Sequence, residues 1–508
     1  MRNMNIIEVD GDVIPLSPLD NVRTHCYTNY LLPIALEPKC EIREVYSILQ
    51  GSLSMTVAEM PIYGGKVCYR PQGRPAWKRG QLEVRTPNTD WLVDPYPLAL
   101  QDFSDRFDFQ DMKATGFPEE DLDRMLLLPE AFELDIYEGL DVAVAQANIV
   151  RNGCILGIGI WNSVSDVYGA FNMISLWASN AKKLQTNATL RRSVQIPPSV
   201  IEKNNDRDVL TKIWRDEGGE NIKEMSSASA EDQRLWRYLG LHHPSATAEM
   251  PPLGANAPEP AAIQRRMRTC MFYVSEKSFC QLGQDNAPTH LATESAPITT
   301  NDILNALIWR CIMKSRFPGD NSGQKDMASN YQIALDGRTQ FSQKLESSYL
   351  GNVGFFGAST LPLSTVTGPS TTLTSLAVAL RKSLDSYTVT DMCRSFGIAH
   401  DITDYSTLLY TLADSGGATI NVSTTLQAPI VSLDFGPTFG LGGAGNIECI
   451  RMLKHKSDQT LRRVLVMPMI KDGGSEIIVT LSEDEMDRLL ADKEWAKYVG
   501  QYPKKKET

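Results

Sequence analysis

The chain has 508 residues, more than one hydrophobic core usually fills, so we expect two domains. Its formal net charge is -11, and the sequence contains no concentrated basic region, which argues against a nucleic-acid partner. Nine scattered cysteines without a Cys-x-x-Cys spacing favour reduced thiols over a disulfide framework or a zinc site.

The N-terminus shows no pattern of a targeting signal. Glu8, Asp10 and Asp12 stand where a signal peptide needs a basic and then an apolar run. No uninterrupted apolar stretch reaches the roughly 20 residues that a bilayer requires. We therefore expect a cytoplasmic monomer with no membrane partner.

A polar turn between a hairpin and a helix is the first candidate site. Residues 142–150 and 154–160 are apolar, β-branched runs joined through Asn152-Gly153, which predicts two paired strands. Apolar residues recur at helical spacing over 167–178, which predicts a helix packed on a core. The segment 161–166 between them is short and polar, so we expect chemistry there, at the end of a buried sheet.

The composition changes near the middle of the chain. Residues 243–260 are rich in Pro, Ala and small polar residues without periodicity, which is typical of an exposed connector. The predicted organisation is a first domain over 1–240, a connector over 241–262 and a second domain over 263–508.

The second half also carries recognisable elements. Residues 299–316 predict a helix with a Thr cap, and strands are expected over 418–422 and 430–435. The chain is expected to close with a strand over 475–481 and a helix that begins with a Ser482-Glu485 capping box.

Residues 156–178 read LGIGIWNSVSDVYGAFNMISLWA. The LGIGI strand, Asp166, the Tyr168-Gly169 pair and the closing Leu-Trp-Ala make this stretch resemble the signature region of the BAHD acyltransferases. The resemblance is to their fungal branch, which includes trichothecene 3-O-acetyltransferase. Members of that family carry His-x-x-x-Asp here, and this chain has Asn162 at the position of the histidine.

Four further segments resemble the same family in the same order along the chain. The second family motif, Asp-Phe-Gly-Trp-Gly, is matched by Asp434-Phe435-Gly436 and then interrupted by Pro437 and Thr438. The other similar segments are 14–20, 295–316 and the pair formed by 335–338 and 349–353.

The resemblance implies an α/β fold of two pseudo-symmetric, chloramphenicol-acetyltransferase-like domains, with mixed sheets flanked by helices and a tunnel at their interface. It implies acyl-CoA as cosubstrate and a small-molecule acceptor, with no permanently bound cofactor and no metal. The expected reaction acylates a hydroxyl or an amine of a terpenoid, alkaloid or polyketide in fungal specialised metabolism.

In the family, the motif histidine is taken to remove the acceptor's proton. Asn162 cannot take a proton at physiological pH, although it can donate and accept hydrogen bonds. The resemblance assigns Asp166 a structural salt bridge, Asp434 and Gly436 an architectural role, and Trp161 and Ser163 places along the tunnel.

His25 is the candidate for a borrowed base, because the resemblance places its segment near the catalytic tunnel. Tyr168 and Ser165 are closer in sequence, but a helix surface and a cap are expected for them. The literal His-x-x-x-Asp match at 400–404 lacks a Leu-Gly strand before it, and we interpret it as a helix entry ahead of a helical run over 405–412.

A basic run stands before the first strand of the second half. Arg265, Arg266 and Arg268 are candidates for contact with coenzyme A, because the arginine fork pairs well with phosphate. A solvated basic edge is the alternative.

Two other functions stay open. The scaffold could have been reassigned to a cyclisation or cycloaddition that needs no strong base, with Asn162 polarising a carbonyl. A non-catalytic paralogue that keeps only the shape is the third hypothesis.

Overall fold

The computed structural model describes residues 11–37, 40–118, 122, 128, 136–187, 195–219, 230–244, 266–287, 297–319, 327–413, 417–426, 428, 433–440, 445–452, 461–470 and 473–502. We call the described residues up to 244 the N-terminal half and those from 266 the C-terminal half. The predicted connector lies outside the described residues from 245 onward, so the domain borders stay a prediction.

Helices and strands are interleaved along the described chain, as expected for an α/β protein. The strands are β1 (Val13–Pro15), β2 (Tyr27–Ala35), β3 (Lys66–Tyr69), β4 (Leu82–Arg85), β5 (Ala99–Asp102), β6 (Leu140–Asp141), β7 (Ala143–Val150), β8 (Gly153–Trp161), β9 (Met267–Val274), β10 (Ala328–Asp336), β11 (Gly354–Pro362), β12 (Thr419–Thr424), β13 (Arg463–Met469), β14 (Ser475–Ser482) and β15 (Gly500–Gln501).

None of the helices among the described residues is both long and apolar enough to cross a bilayer. They are α1 (Pro18–Asn21), α2 (Ile42–Glu59), α3 (Phe109–Ala114), α4 (Val167–Thr186), α5 (Pro198–Asn205), α6 (Val209–Asp216), α7 (Ala230–Tyr238), α8 (Glu276–Asp285), α9 (Thr300–Arg316), α10 (Arg338–Phe341), α11 (Leu363–Thr367), α12 (Leu373–Asp385), α13 (Val389–Asp401), α14 (Glu483–Leu490) and α15 (Lys493–Tyr498).

The two halves build different sheets. The N-terminal half forms one sheet in the order β2-β8-β7-β5 and a second in the order β1-β4-β3-β6. The C-terminal half forms a single seven-stranded sheet in the order β11-β10-β12-β13-β14-β9-β15, in which β12 runs parallel to both β10 and β13. These mixed sheets, with helices packed on them, match the predicted fold class.

The predicted hairpin is confirmed. Val150 pairs with Gly153, and Asn152 in the two-residue turn has φ 62. Asparagine tolerates this left-handed conformation better than most residues do.

Each half has a core that follows from its apolar pattern. Helices α2 and α4 pack together against β2 and β8, and the Trp177 indole donates a hydrogen bond to the Leu49 carbonyl at 3.0 Å. In the C-terminal half, α9 lies buried on the seven-stranded sheet and begins with the predicted cap, a Thr299-Asp302 capping box.

A segment of the C-terminal half runs along the free edge of β2. Leu31 and Arg451 exchange backbone hydrogen bonds of 2.8 and 2.9 Å, and the amide of Gly440 donates to the Ala35 carbonyl at 2.6 Å. The two halves are therefore joined by main-chain hydrogen bonds as well as by side chains.

Two local expectations were wrong or incomplete. His400 and Asp401 end α13 instead of opening a helix, and only short 3-10 turns at Tyr405–Thr407 and Thr411–Ala413 follow. The apolar face of α13 continues through Ala399 into the core, so the helix extends over the motif. Of the strand expected over 430–435, only 433–435 is described, and Asp434 forms an isolated bridge with Asn446.

Candidate active site

Strand β8 ends in the turn that carries the first motif. The backbone N–H of Asn162 donates to the Cys26 carbonyl at 2.8 Å, which extends the pairing of β2 with β8 by one step. Asp166 caps α4, because its Oδ1 accepts from the amides of Tyr168 and Gly169 at 3.1 and 3.0 Å. The turn is thus fixed at both ends.

Asp166 is also half of a bidentate ion pair between the two halves. The Arg338 guanidinium donates to its two carboxylate oxygens at 2.7 and 3.0 Å, and the Val353 amide adds a third bond of 3.0 Å. Burial by itself would raise the pKa of Asp166, but the charge and hydrogen bonds of Arg338, with those of Gly169 and Val353, hold it below the usual value. The carboxylate is therefore a structural anchor between the two halves.

Asn352 connects the turn with the opening segment. Its side-chain amide donates to the Asn162 carbonyl at 3.1 Å and to Asp20 Oδ1 at 2.9 Å. Asp20 is fully buried and closes a capping box with Ser17 at the start of α1. Segments around 20, 162, 338 and 352, distant in sequence, therefore meet at one place.

The Asn162 side chain points toward the chain that precedes β2. Its Nδ2 donates to Thr24 Oγ1 at 2.8 Å, and Thr24 Oγ1 lies 3.5 Å from Cys26 Sγ. All three side chains are partly exposed. Among the described residues, Asn162 Oδ1 has no hydrogen-bond partner, so it can accept one from a ligand.

His25 lies between Thr24 and Cys26 in sequence, and its ring contacts Tyr69 edge-on with centroids 6.1 Å apart. The imidazole is exposed by area, yet desolvation lowers its pKa to about 4. These two properties together fit a ring that faces a recess walled by protein. His25 is therefore neutral at pH 7 but is a weak base.

A small cavity lies where the two halves meet. It has a volume of about 30 Å³, and Phe117 and Leu122 line it from the N-terminal half. Thr269, Met271 and Arg463 are among the residues that line it from the seven-stranded sheet. Burial raises the pKa of the Cys26 thiol, and the hydrogen bond with Thr24 and the positive charge of Arg463 oppose that rise. A continuous tunnel stays a prediction.

Comparison with known proteins identifies the family. The model of the Transferase family matches residues 137–495, which contain both motifs and the anchor. The chain belongs to this family. It is the BAHD acyltransferase family that the motifs resemble.

The BAHD relatives are fungal. The chain is 25% identical over 501 residues to eremophilane O-acetyltransferase ORF8 of Penicillium roqueforti, covering 95% of this chain and 97% of that protein. It is 23% identical to the isocyanide synthase-NRPS hybrid crmA of Aspergillus fumigatus, covering 95% of this chain but only 31% of that larger protein.

Solved structures show the same fold. TRI101 of F. sporotrichioides, in complex with coenzyme A and T-2, superposes with a TM-score of 0.75 at 19% identity, over 97% of this chain and all of that one. The two-half architecture with mixed sheets is therefore the BAHD fold.

The second BAHD motif packs on α4, the helix that begins at Asp166. Asp434 accepts from the Gly436 amide at 2.8 Å and pairs with Lys182 of α4 at 2.6 Å. Gly436 has φ 93, and a β-carbon there would lie 2.4 Å from the Gln185 amide nitrogen. The motif thus joins the C-terminal half to the helix behind the site, away from Asn162.

Two of the three predicted coenzyme A arginines have protein partners. Arg265 lies outside the described residues, Arg266 pairs with Glu483 at 3.2 Å, and Arg268 pairs with Asp487 at 2.8 Å. Arg268 lies on the same face of β9 as Cys270 and Phe272, whose side chains face the core beneath α9. Their contact with coenzyme A stays a prediction.

Arg463 faces the junction of the halves instead. Arg463 of β13 lies opposite Thr480 of β14, and Thr480 Oγ1 lies 3.0 Å from Thr269 Oγ1 of β9. Sequence reasoning missed this arginine, because a single Arg at the start of a strand carries no motif.

The remaining predicted residues have clear places. Ser163 is fully buried and donates to the Thr24 carbonyl at 3.3 Å, and Trp161 packs edge-on against Tyr27 with centroids 5.0 Å apart. Ser165 donates to the Leu350 carbonyl at 2.8 Å, as a turn residue. Whether Trp161 and Ser163 line a tunnel stays a prediction.

Thr24 and Cys26 were not singled out from the sequence. Their proximity to Asn162 follows from the pairing of β2 with β8, two strands separated by more than a hundred residues. Only a predicted pairing of these strands could have found them.

Proposed function

We propose that the chain is an acyl-CoA-dependent acyltransferase that acylates a hydroxyl or amine of a small molecule in fungal specialised metabolism, with Asn162 orienting the acceptor. The carrying observation is the geometry of Asn162, whose Nδ2 is held by Thr24 while Oδ1 lies without a partner among the described residues. Family membership supports acyl transfer, and we keep a cytoplasmic monomer as part of the proposal.

Coenzyme A as cosubstrate is supported by similar proteins. F. graminearum TRI101 is solved with coenzyme A and deoxynivalenol, and its TM-score to this chain is 0.72 at 18% identity. We place the approach of such a donor to Asn162 at the junction of the two halves, as the resemblance to the family implies.

The chemistry must proceed without an imidazole on Asn162. Among the described residues, the side chain of Asn162 contacts no histidine through a hydrogen bond, and the neutral His25 is a weak base. In the proposed step, the acceptor oxygen or nitrogen bonds to the acyl carbon, the acyl–sulfur bond breaks, and the acceptor's proton passes to the leaving thiolate. Asn162 Oδ1 accepts the acceptor's O–H or N–H and so aligns the attack.

This arrangement favours amines and activated alcohols, since they need least help in losing a proton. A positioned base usually contributes about 10²- to 10⁴-fold in rate. The wild-type enzyme should therefore be slow with simple alcohols.

The test is acetyl transfer from acetyl-CoA to a panel of alcohols and amines, including deoxynivalenol, followed by mass spectrometry. Asn162→His should raise kcat/KM for an alcohol at least 10-fold, within the range that a base supplies. Asn162→Ala should lower it. Asn172→Ala, which removes a half-exposed amide of α4 that bonds to the Ser347 carbonyl, is the matched control and should leave the rate unchanged.

Absence of acetylated product with both the wild type and Asn162→His would reject the transferase. Product formed from a pathway intermediate without any acyl-CoA, and with unchanged elemental composition, would favour a cyclase instead.

A further inference from the structure

Two buried polar atoms beside Asn162 have no hydrogen-bond partner among the described residues. They are Oδ1 of Asn29 in β2 and Nε1 of Trp161 at the end of β8. Asn29 is 6% exposed and Trp161 is 5% exposed. An unpaired buried donor or acceptor lowers folding stability, and in native proteins it calls for a water, a ligand or a functional role.

Both side chains lie on the same face of the sheet. Asn29 is opposite Gly159 in the register of β2 and β8, and Trp161 lies two residues beyond Gly159 on the same strand. Side chains two residues apart point to one side of a strand. Tyr30 belongs to the other side, where its ring packs against Phe171 of α4.

Gly159 keeps space open between the two polar groups. A β-carbon at this position would lie 3.2 Å from Asn29 Oδ1 and 2.8 Å from a methyl group of Val144. A side chain here would therefore cover the Asn29 oxygen. Because residue 159 is glycine, no side chain stands between Asn29 and Trp161 on this face.

The same face leads toward the junction of the halves. Leu31 and Ile155, further along β2 and β8, cluster with Phe117. Phe117 in turn lines the interdomain cavity together with Thr269 and Arg463 of the seven-stranded sheet. The surface that carries Asn29 and Trp161 thus lies between Asn162 and the space shared by the two halves.

We propose that Asn29 and Trp161 form a polar subsite for a substrate group that both donates and accepts a hydrogen bond, namely a hydroxyl or a secondary amide. Asn29 Oδ1 accepts the O–H or N–H, and Trp161 Nε1 donates to the oxygen. Bound there, the group fixes the substrate beside Asn162. This subsite rests on the proposed function, whose substrates offer such a group either in the acceptor or in the pantetheine arm of coenzyme A.

Asn29→Leu and Trp161→Phe test the subsite, because each removes the polar atom while retaining most of the side-chain volume. The melting temperature of Asn29→Leu should stay unchanged or rise, since an unpaired buried polar atom is lost. Trp161→Phe should melt slightly lower, because it also loses buried packing volume. Asn148→Leu is the matched control on the same face. Its carboxamide is hydrogen-bonded to the Ile155 carbonyl at 2.9 Å and to Gln146 at 2.7 Å, so this variant should melt at a lower temperature.

Binding then identifies the source of the group. Coenzyme A is titrated by calorimetry, and the thermal shifts produced by deoxynivalenol and T-2 mycotoxin are measured with coenzyme A present. A Kd for coenzyme A at least 5-fold weaker in both variants assigns the subsite to the pantetheine arm. Unchanged coenzyme A affinity with a lost thermal shift from either alcohol assigns it to the acceptor.

Equal responses of the wild type and both variants to all three probes would overturn the subsite. These measurements need no turnover. A wild type that fails to transfer acetyl groups rejects the proposed function, while the binding result still decides the subsite.

Discussion

The two ends of the first motif are held very differently. Asp166 is buried in a bidentate ion pair and accepts three backbone amides, whereas in the part of the chain that the structure describes the Asn162 side chain makes one hydrogen bond, to Thr24. The difference separates a residue that builds the turn from a residue that is free to meet a ligand. Two residues four positions apart in one turn therefore have different roles: Asp166 fixes the turn, and Asn162 can bind a ligand.

The largest effect is expected at the anchor. Arg338→Met leaves Asp166 buried without its counter-charge, and losing one partner of a buried pair costs about 3–5 kcal/mol. Urea denaturation measures this loss in the free energy of unfolding. Lys203→Met is the control, because its pair with Glu346 is half exposed and an exposed pair contributes about 0–1 kcal/mol. An Arg338→Met protein as stable as this control would show that the anchor is not structural.

The pH dependence of the same variant sharpens the test. The lowered pKa of Asp166 means that its stabilisation is present above the unfolded value, about 4, and is lost as the pH falls through the folded pKa. Without Arg338 the buried carboxyl favours the protonated form, so lowering the pH removes the unpaired buried charge that destabilises the variant. The gap in unfolding free energy between wild type and Arg338→Met should narrow from pH 6 to pH 3. A constant gap would contradict the ion pair.

The second motif should show an intermediate effect. Gly436→Ala places a side chain at φ 93 and against Gln185, and such backbone strain costs about 1–3 kcal/mol. Gly73→Ala is a matched control, since Gly73 has φ 97 and its β-carbon would have no neighbour within 4 Å. Chemical denaturation of both variants should give the larger loss for Gly436→Ala. Equal losses would show that contact with α4 contributes nothing.

At Asn162 the effect on stability should be small. Asn162→Ala removes one partly exposed hydrogen bond, which contributes about 1 kcal/mol. Its activity should nevertheless fall, while Asn162→His should gain a limb in the pH–rate profile near the usual histidine pKa of about 6.5. If Asn162→Ala lost as much unfolding free energy as Arg338→Met, the proposed difference between the two ends of the motif would be wrong.

At neutral pH the smallest effect on stability is expected from His25, because its ring is mostly uncharged at pH 7 in both the folded and the unfolded chain. Its pKa of about 4 lies below the unfolded value of about 6.5, so the unfolded chain binds more protons between these pH values. Stability should decline as the pH falls from 6.5 toward 4, and His25→Gln should flatten that decline. An NMR titration of His25 near 6.5 would contradict a desolvated ring.

Local sequence signals predicted the local structure well. The hairpin at 150–153, the Thr299 cap and the Ser482-Glu485 capping box each depend on neighbouring residues, and each is present. The prediction for 400–404 was wrong because α13 continues through its first two residues and packs on the core. That packing depends on residues elsewhere in the chain.

The candidate site was predictable only in part. Asn162 and Asp166 followed from the motif and its resemblance, but the partners of Asn162 come from strand pairing over a long separation. Likewise, the sequence could not say which side of β9 faces the other half. That choice separates Arg268, which lies toward α14, from Thr269, which lines the interdomain cavity.

The C-terminal segment that lines β2 also has a consequence for how the chain can be divided. Its backbone groups cover the outer margin of the N-terminal sheet, where bare N–H and C=O groups would otherwise recruit other chains. An N-terminal fragment produced alone would expose that margin and self-associate. Supplying the C-terminal fragment in trans should reduce this self-association, because its segment covers the edge of β2 again.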